Sequence, residues 1–351
     1  MSVFDKFFYS LLICIPVAIY VWYAAFSAPI VFSLAALAIV PLAKLLGEAT
    51  EELSVHTNAA MGGLLNATFG NATEFIIGIV AIQAGLIDIV KASIVGSIIS
   101  NLLLVLGMAM FFGGLKTVQQ KFNATAAKTA GSTLLLTVTA LVVPAFFLQA
   151  PAHMAPLSDE YLSVIVSVLL IAAYGAGLLF TLKTHAHLYV QEVGKYEAQW
   201  SITFSCFVLA IVAVAIAFMS EILVGAIEPL IEQFGWSATF IGVIVLAIIG
   251  NAAEHASAVM VAMKNKMDLA LQVAIGSATQ ISMLVAPLLV LISLAFPHHL
   301  NLIFDGFELA ALVLSVLVVN AIVEDGESNW LEGMQLLVAY AIIAAAFFFH
   351  D

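Results

Sequence analysis

Two glutamates, Glu74 and Glu254, each close a five-residue motif, GNATE from Gly70 and GNAAE from Gly250, and the two motifs stand 180 residues apart. Both carboxylates fall inside long apolar stretches, where a charge at the centre of a bilayer costs about 2.5 to 3.5 kcal/mol. A protonated, hydrogen-bonded structural carboxyl is the plainer reading of either one. A matched pair at one register is better explained by cation and proton binding. Asn71 and Asn251 precede their glutamates by three residues and so share a helix face with them. Gly70 and Gly250, one residue earlier, weaken a helix by about 1 kcal/mol relative to alanine. A break or distortion is therefore expected in both motifs, and an unwound turn would add backbone carbonyls, which membrane proteins tolerate where the backbone lines a cavity. Carboxylate, amide and carbonyl oxygens form a hard-oxygen set that suits calcium better than zinc or copper. The metal expected at Glu74 and Glu254 is thus Ca2+, as a transported substrate, and no cofactor is expected.

A second layer of polar side chains follows each motif. Ser97 and Asn101 are four residues apart, and Ser277 and Gln280 three apart in the matching stretch. They either support the glutamates or make ordinary interhelical hydrogen bonds. Ala92, Gly96 and Ser100 form a small-residue stripe that would let another helix approach closely. Glu48, Glu51, Glu52 and His56 read as an inner loop before the first motif, and Glu228 and Glu232 as an outer loop before the second. The register shared by Glu48 with Glu228 and Glu52 with Glu232 would put an acidic pair at each mouth, drawing cations in, unless these are only solvated helix ends. His255, beside Glu254, is either a proton relay or structural. His185 and His187 look like a metal pair but lack the partners of a zinc site. Glu324, Asp325 and Glu327 read as a solvated acidic segment on the outer side.

The elements that carry these residues are membrane helices. Of 351 residues 64% are hydrophobic and 9% charged, against roughly half apolar and a quarter charged in soluble chains. Apolar runs long enough for a hydrocarbon core of about 30 Å give about eleven spans, near 8–26, 29–46, 58–84, 87–112, 124–148, 161–182, 200–223, 236–263, 269–296, 302–323 and 331–349. The first follows a short charged start, as in a signal peptide, but no small-x-small cleavage site follows it. All ten basic residues are lysines. With a cytoplasmic N-terminus, nine of them reach the inner side and Lys91 alone the outer, as the positive-inside rule requires, which puts the C-terminus outside. The net charge of -12 with no arginine favours a cation over an anion, arginine being the usual clamp for phosphate and carboxylate. Nucleic acid is excluded for want of a basic stripe. Cys14 and Cys206 lie in apolar runs and suggest neither a disulfide nor a thiolate site.

The 180-residue offset also pairs Gly62 with Gly242, Asp88 with Asp268, Gly96-Ser97 with Gly276-Ser277 and Leu104-Val105 with Leu284-Val285. Five spans repeat as five, and an odd number inverts the second set, the usual scaffold for alternating access. The expected organisation is an N-terminal helix over 1–27, a first five-helix repeat over 28–182, a cytoplasmic linker over 183–199 and an inverted repeat over 200–351.

GNATE, GNAAEH from Gly250 to His255, LLNATFGNATE ending at Glu74, and DGESNWLEG from Asp325 to Gly333 resemble the hallmark segments of the Ca2+/H+ exchanger family, within the cation/Ca2+ exchanger superfamily. The resemblance covers essentially the whole chain. It implies an all-α polytopic fold of eleven helices, exchange of Ca2+ for H+ by alternating access, and alternate binding of calcium and protons by Glu74 and Glu254. Sodium-coupled relatives usually carry a proline before the acidic residue, where this chain has Thr73 and Ala253, which favours protons. Many members carry an acidic helix in the linker; only Glu192 and Glu197 stand there in this chain. The short N-terminus is similar to prokaryotic members and implies the cell membrane, and the family implies a homotrimer in the lipid bilayer. Sodium/calcium or manganese/proton exchange, a passive channel and an intramembrane metal-dependent hydrolase stay open as rivals. Against the last, no HExxH or nucleophile-elbow motif is present.

Overall fold

The computed structural model describes residues 3–57, 59–148, 158–186 and 198–349. His187, Glu192 and Glu197 lie outside the described residues. The chain is helical almost throughout. Val3–Ser10 (α1) and Cys14–Tyr23 (α2) lead into Ala28–Val55 (α3), Ala59–Phe69 (α4), Ala72–Gln83 (α5) and Ile87–Ile99 (α6). A π-helical turn, Ser100–Val105, joins α6 to Leu106–Lys116 (α7), and Ala124–Leu148 (α8) and Ser158–Leu179 (α9) follow. Beyond the linker come Ile202–Gly225 (α10), Ile227–Phe234 (α11), Ala238–Phe240 (α12), Ala247–Ala262 (α13), Met267–Gln280 (α14), Ala286–Ser293 (α15), Gly306–Ile322 (α16) and Trp330–Phe349 (α17). Further π turns occupy Phe180–Thr184, Ile241–Leu246 and Ile281–Val285.

Among the described residues nine helical stretches are long and apolar enough to cross a membrane, and Ala72–Gln83 and Gly306–Ile322 are shorter apolar helices. The expected third span is thus divided into α4 and α5, and the tenth is α16, whose 17 residues reach about 25 Å at 1.5 Å per residue. Burial has the sense required when hydrocarbon is the solvent. In α10, Phe207, Ile211 and Val214 face outward while Ser205 and Ser220 are wholly buried, so polar groups turn inward and apolar ones to lipid.

The chain forms two compact units, each drawing helices from both halves of the sequence. The first, Met1–Leu86 with Leu178–Ser237, is built on the packing of α3 along α10, with α5 against α10 and α4 folded back on α3. The second, Ile87–Gly177 with Ala238–Asp351, centres on α6 and its π turn, packed by α13, α14 and α17.

The small-residue stripe works as expected inside this second unit. A Cβ on Gly96 would fall within the backbone of Val243, and one on Gly242 would strike Ala92, so the π turn Ile241–Leu246 lies directly on α6. Gly333 and Gly107 bring α17 equally close to α7.

The ends of the second unit sort its loops. Gln120–Lys121 (β1) pairs antiparallel with Glu327–Ser328 (β2). Asn123 donates its backbone N–H to Asp268 Oδ1 at 2.7 Å, and Gln120 Nε2 donates to Ala262 O at 2.8 Å. Segments around 116–124, 262–268 and 324–332 therefore share the end that holds Lys116, Lys121, Lys264 and Lys266. The opposite end joins Ser163 to Leu302 (3.1 Å) and His299 to Glu160 (3.4 Å). Glu324, Asp325 and Glu327 were expected on the outer side; the β1–β2 pairing places them at the lysine-rich end instead. The reason is the strand pairing, which holds Glu327 beside Lys121.

Candidate functional site

In the first unit, the GNATE motif opens α5. Gly70 closes α4, its N–H donating to Asn66 O at 2.8 Å, and the helix restarts with Phe75 N–H donating to Asn71 O at 3.1 Å. Asn71, the N-cap, has φ -106° and ψ 26° and is fully buried. The expected break is present here. Glu74 lies in the first turn of the new helix, where unsatisfied N–H groups and the helix dipole favour a carboxylate. Its Oε2 is buried and has no hydrogen-bond partner among the described residues. A buried polar atom without a partner is costly, and a bound cation or proton would remove that cost.

In the second unit, the GNAAE motif behaves differently. Gly250 and Asn251 lie inside α13, which runs unbroken from Ala247 to Ala262; of the break or distortion expected, no break falls at this motif. Asn251 Nδ2 donates to Ala247 O, one turn earlier, at 2.9 Å, which ties the amide to its own helix. The distortion is displaced to the π turn Ile241–Leu246, just before α13. Glu254 is half-buried, with Oε2 inside the protein.

Four of the expected supporting residues meet in one buried network of this unit. Asn251 Nδ2 donates to Ser97 Oγ at 3.2 Å. Asn101 Nδ2 donates to Asn251 Oδ1 at 3.2 Å and to Ser277 Oγ at 3.0 Å. Asn101 is wholly buried, and its Oδ1 has no hydrogen-bond partner among the described residues. It is an oxygen turned into the protein with capacity to spare. Gln280 ends α14, half-buried, where the π turn Ile281–Val285 begins.

His255 is 7% exposed, and its Nε2 lies 3.4 Å from Ser100 Oγ. A residue expected only as part of a small-residue stripe is thus the polar neighbour of the motif histidine. Its small hydroxyl gave no sign of that in the sequence.

The acidic residues assigned to the two mouths diverge. Glu48, Glu51 and Glu52 belong to α3, which continues to Val55, so the expected inner loop is helix. Glu48 bonds Lys44 and Tyr9. Glu52 is 4% exposed, and its Oε2 accepts the backbone N–H groups of Gln199 at 2.8 Å and Trp200 at 2.9 Å. Glu228 and Glu232 lie on α11 and are exposed. The outer loop expected there is also helical. His185 stacks on Phe180 with ring centroids 3.9 Å apart.

The hallmark segment DGESNWLEG is a turn and a helix start. Gly326 has φ +79°, open to glycine and strained for other residues. Asn329 Oδ1 caps Leu331 and Glu332, and Glu332 Oε2 accepts from Asn329 N–H at 3.0 Å. This reciprocal arrangement is a capping box that starts α17.

Comparison with known proteins accords with this architecture. The profile of the family described as "Sodium/calcium exchanger protein" matches residues 27–183 and 204–349. The chain is 44% identical to a "Ca(2+)/H(+) antiporter" of Aphanothece halophytica, across 99% of this chain and 97% of that protein. It is 45% identical to the "Ca(2+)/H(+) antiporter ChaA" of Bacillus subtilis, across 91% and 92%. The structure titled native YfkE superposes with a TM-score of 0.86 at 41% identity, covering 98% of this chain and all of that one. The H+/Ca2+ exchanger CAX shares the fold, with a TM-score of 0.73 at 13% identity. The chain is a multi-pass membrane protein and belongs to the sodium/calcium exchanger protein family.

Proposed function

We propose that the chain is a secondary active transporter that exchanges Ca2+ for H+, with calcium efflux driven by the proton gradient and with Glu74 and Glu254 holding cation and protons in turn. The observation that carries this reading is the buried carboxylate oxygen of Glu74 at the helix break, in a motif repeated 180 residues later around Glu254. Kinship over nearly the whole chain with proteins named Ca(2+)/H(+) antiporter supports calcium and protons as the exchanged pair.

Charge balance supplies the mechanism. Two ionised carboxylates and one Ca2+ sum to zero, as do two protonated carboxyls, whereas the empty ionised pair carries two negative charges. Low dielectric penalises net charge, so either loaded form crosses the barrier and the empty one does not. That condition enforces exchange and suppresses leak. Asn71, Asn251, Ser97, Ser277, Asn101 and Gln280 support the carboxylates with amide and hydroxyl groups. The two sequence halves act as inverted repeats in alternating access. The chain resides in the cell membrane, N-terminus in the cytoplasm and C-terminus outside, assembled as a homotrimer.

The test is radioactive calcium uptake into proteoliposomes loaded at acid pH and diluted into alkaline medium. Uptake that collapses with a protonophore supports the reading. Uptake that follows a sodium gradient, or ignores both gradients, moves the protein to sodium-coupled exchange or to a channel.

A further inference from the structure

The first unit contains a second arrangement that the exchange reaction does not use. Glu52 and His56 are one turn apart at the end of α3, so both face the same neighbour. That neighbour is the end of the linker. Glu52 Oε2 accepts from Gln199 N–H and Trp200 N–H, at 2.8 and 2.9 Å, and His56 Nε2 donates to Trp200 O at 2.7 Å. Two successive backbone amides and the carbonyl of one residue are thus held by a single turn of helix. Ser201 then caps α10 by accepting from Phe204 N–H, and the Trp200 ring packs edge-on against Phe204 at 5.2 Å.

The start of the linker rests on the next helix of the same unit. The π turn Phe180–Thr184 packs against α4, so one end of the linker rests on α4 and the other is bonded to α3. Between those two helices the chain turns through His56 and Thr57, whose N–H groups donate to Leu53 O at 3.2 Å and Ser54 O at 3.0 Å. Gly62 of α4 packs at this turn, where a Cβ would lie 3.1 Å from Ser54 O. From there α4 runs to the break at Gly70 and so to Glu74.

We propose that Glu52 and His56 form a clasp that fixes the linker between the two halves to the α3–α4 turn, and that they are positioning residues for the half-helix leading to Glu74. The inference rests on the exchange reading only for its transport readout. Hydrogen bonds to a charged acceptor are stronger than neutral ones, and burial protects this carboxylate from the salt screening that weakens exposed charges. The residue in register with Glu52, Glu232, is exposed on α11. The shared acidic register therefore does not make two equivalent entrances; Glu52 has been taken up by the linker.

A charge that attracts cations and an anchor for backbone amides answer differently to glutamine, which loses the charge and keeps an acceptor oxygen. The experiment measures initial rates of calcium counterflow by Glu52→Gln, Glu52→Ala and His56→Ala proteins in proteoliposomes, normalised to folded protein, at low and high salt. Amide hydrogen exchange is followed over 198–201 and 53–62 in the same proteins. For a clasp, Glu52→Ala lowers the maximal rate at least about fivefold with apparent KM within about twofold, while Glu52→Gln stays within about twofold of the parent. Glu52→Ala also speeds amide exchange in both segments, and His56→Ala, which removes one bond, moves both readouts the same way by less.

Equal losses in Glu52→Gln and Glu52→Ala, seen as a raised KM that high salt abolishes, would overturn the proposal in favour of an entrance charge. Unchanged amide exchange in both alanine proteins would overturn it as well. If the parent protein shows no proton-driven calcium uptake, the exchange reading fails, while amide exchange still decides the clasp.

Discussion

Asn101 and Asn251 are 150 residues apart in the chain and share a hydrogen bond, Nδ2 of the first to Oδ1 of the second, at 3.2 Å. The bond ties the amide of the second glutamate motif to the helix that follows the first. It also decides which amide oxygen is at hand. Asn251 Oδ1 already accepts from Asn101, whereas Asn101 Oδ1 is buried with no partner among the described residues. Of the two amide oxygens, that of Asn101 is the one with its accepting capacity unused among the described residues.

Asn101→Ala removes the donor shared by Asn251 and Ser277 inside a buried network. Leaving buried polar groups short of a partner costs about 1 to 3 kcal/mol. The expected outcome is a lower thermal unfolding midpoint in detergent. An unchanged midpoint would show that water replaces the amide without loss.

Glu74→Gln and Glu254→Gln preserve shape and hydrogen-bonding capacity but cannot ionise. Each protein is expected to purify as a folded species and to lose calcium-for-proton counterflow to the level of empty liposomes. Full exchange by either would remove that glutamate from the site.

Gly96→Ala places a Cβ inside the backbone of Val243 and Gly242→Ala places one against the Cβ of Ala92, and neither neighbour is a flexible side chain that can swing aside. Overpacking of this kind costs about 1 to 3 kcal/mol or more, and both proteins should melt earlier or fail to assemble. Gly276, the counterpart of Gly96 in the other half, has no packing neighbour among the described residues within 4 Å of an added Cβ. Gly276→Ala should therefore leave the melting midpoint nearly unchanged, and equal damage at 96 and 276 would contradict the packing described.

The loop assignment in the second unit is open to chemical labelling. Single cysteines at 121 and 327, in a protein lacking Cys14 and Cys206, should react with an impermeant maleimide from the same face. Cysteines at 160 and 299 should react from the opposite face. Labelling of 121 and 327 from different faces would contradict the β1–β2 pairing.

Much of this architecture was legible in the sequence, because the bilayer imposes length and hydropathy on each span. The offset of 180 residues also marked the motifs without any knowledge of contacts. What escaped was local geometry. GNATE and GNAAE differ at one position, yet α4 and α5 separate at Gly70 and Asn71 while α13 passes through Gly250 and Asn251. Asn251 is held by Ala247 of its own helix and by Ser97 and Asn101, which stand four residues apart on one distant stretch of chain. Glu52 escaped for a similar reason, its partners being backbone amides 147 and 148 residues away. A backbone N–H has no signature in a sequence.

The π turns Ser100–Val105 and Ile281–Val285 stand at matching places in the two halves of the sequence. Shifted by the repeat offset, the first would span 280–285, so the two distortions all but coincide. Their residues have drifted apart: only Leu104 with Leu284 and Val105 with Val285 remain identical. A π turn, with its i to i+5 hydrogen bonds, is rare in α-helices, and here two of them stand at one register of the 180-residue offset. At this register the wider turn is kept in both halves of the sequence although most of the aligned side chains differ.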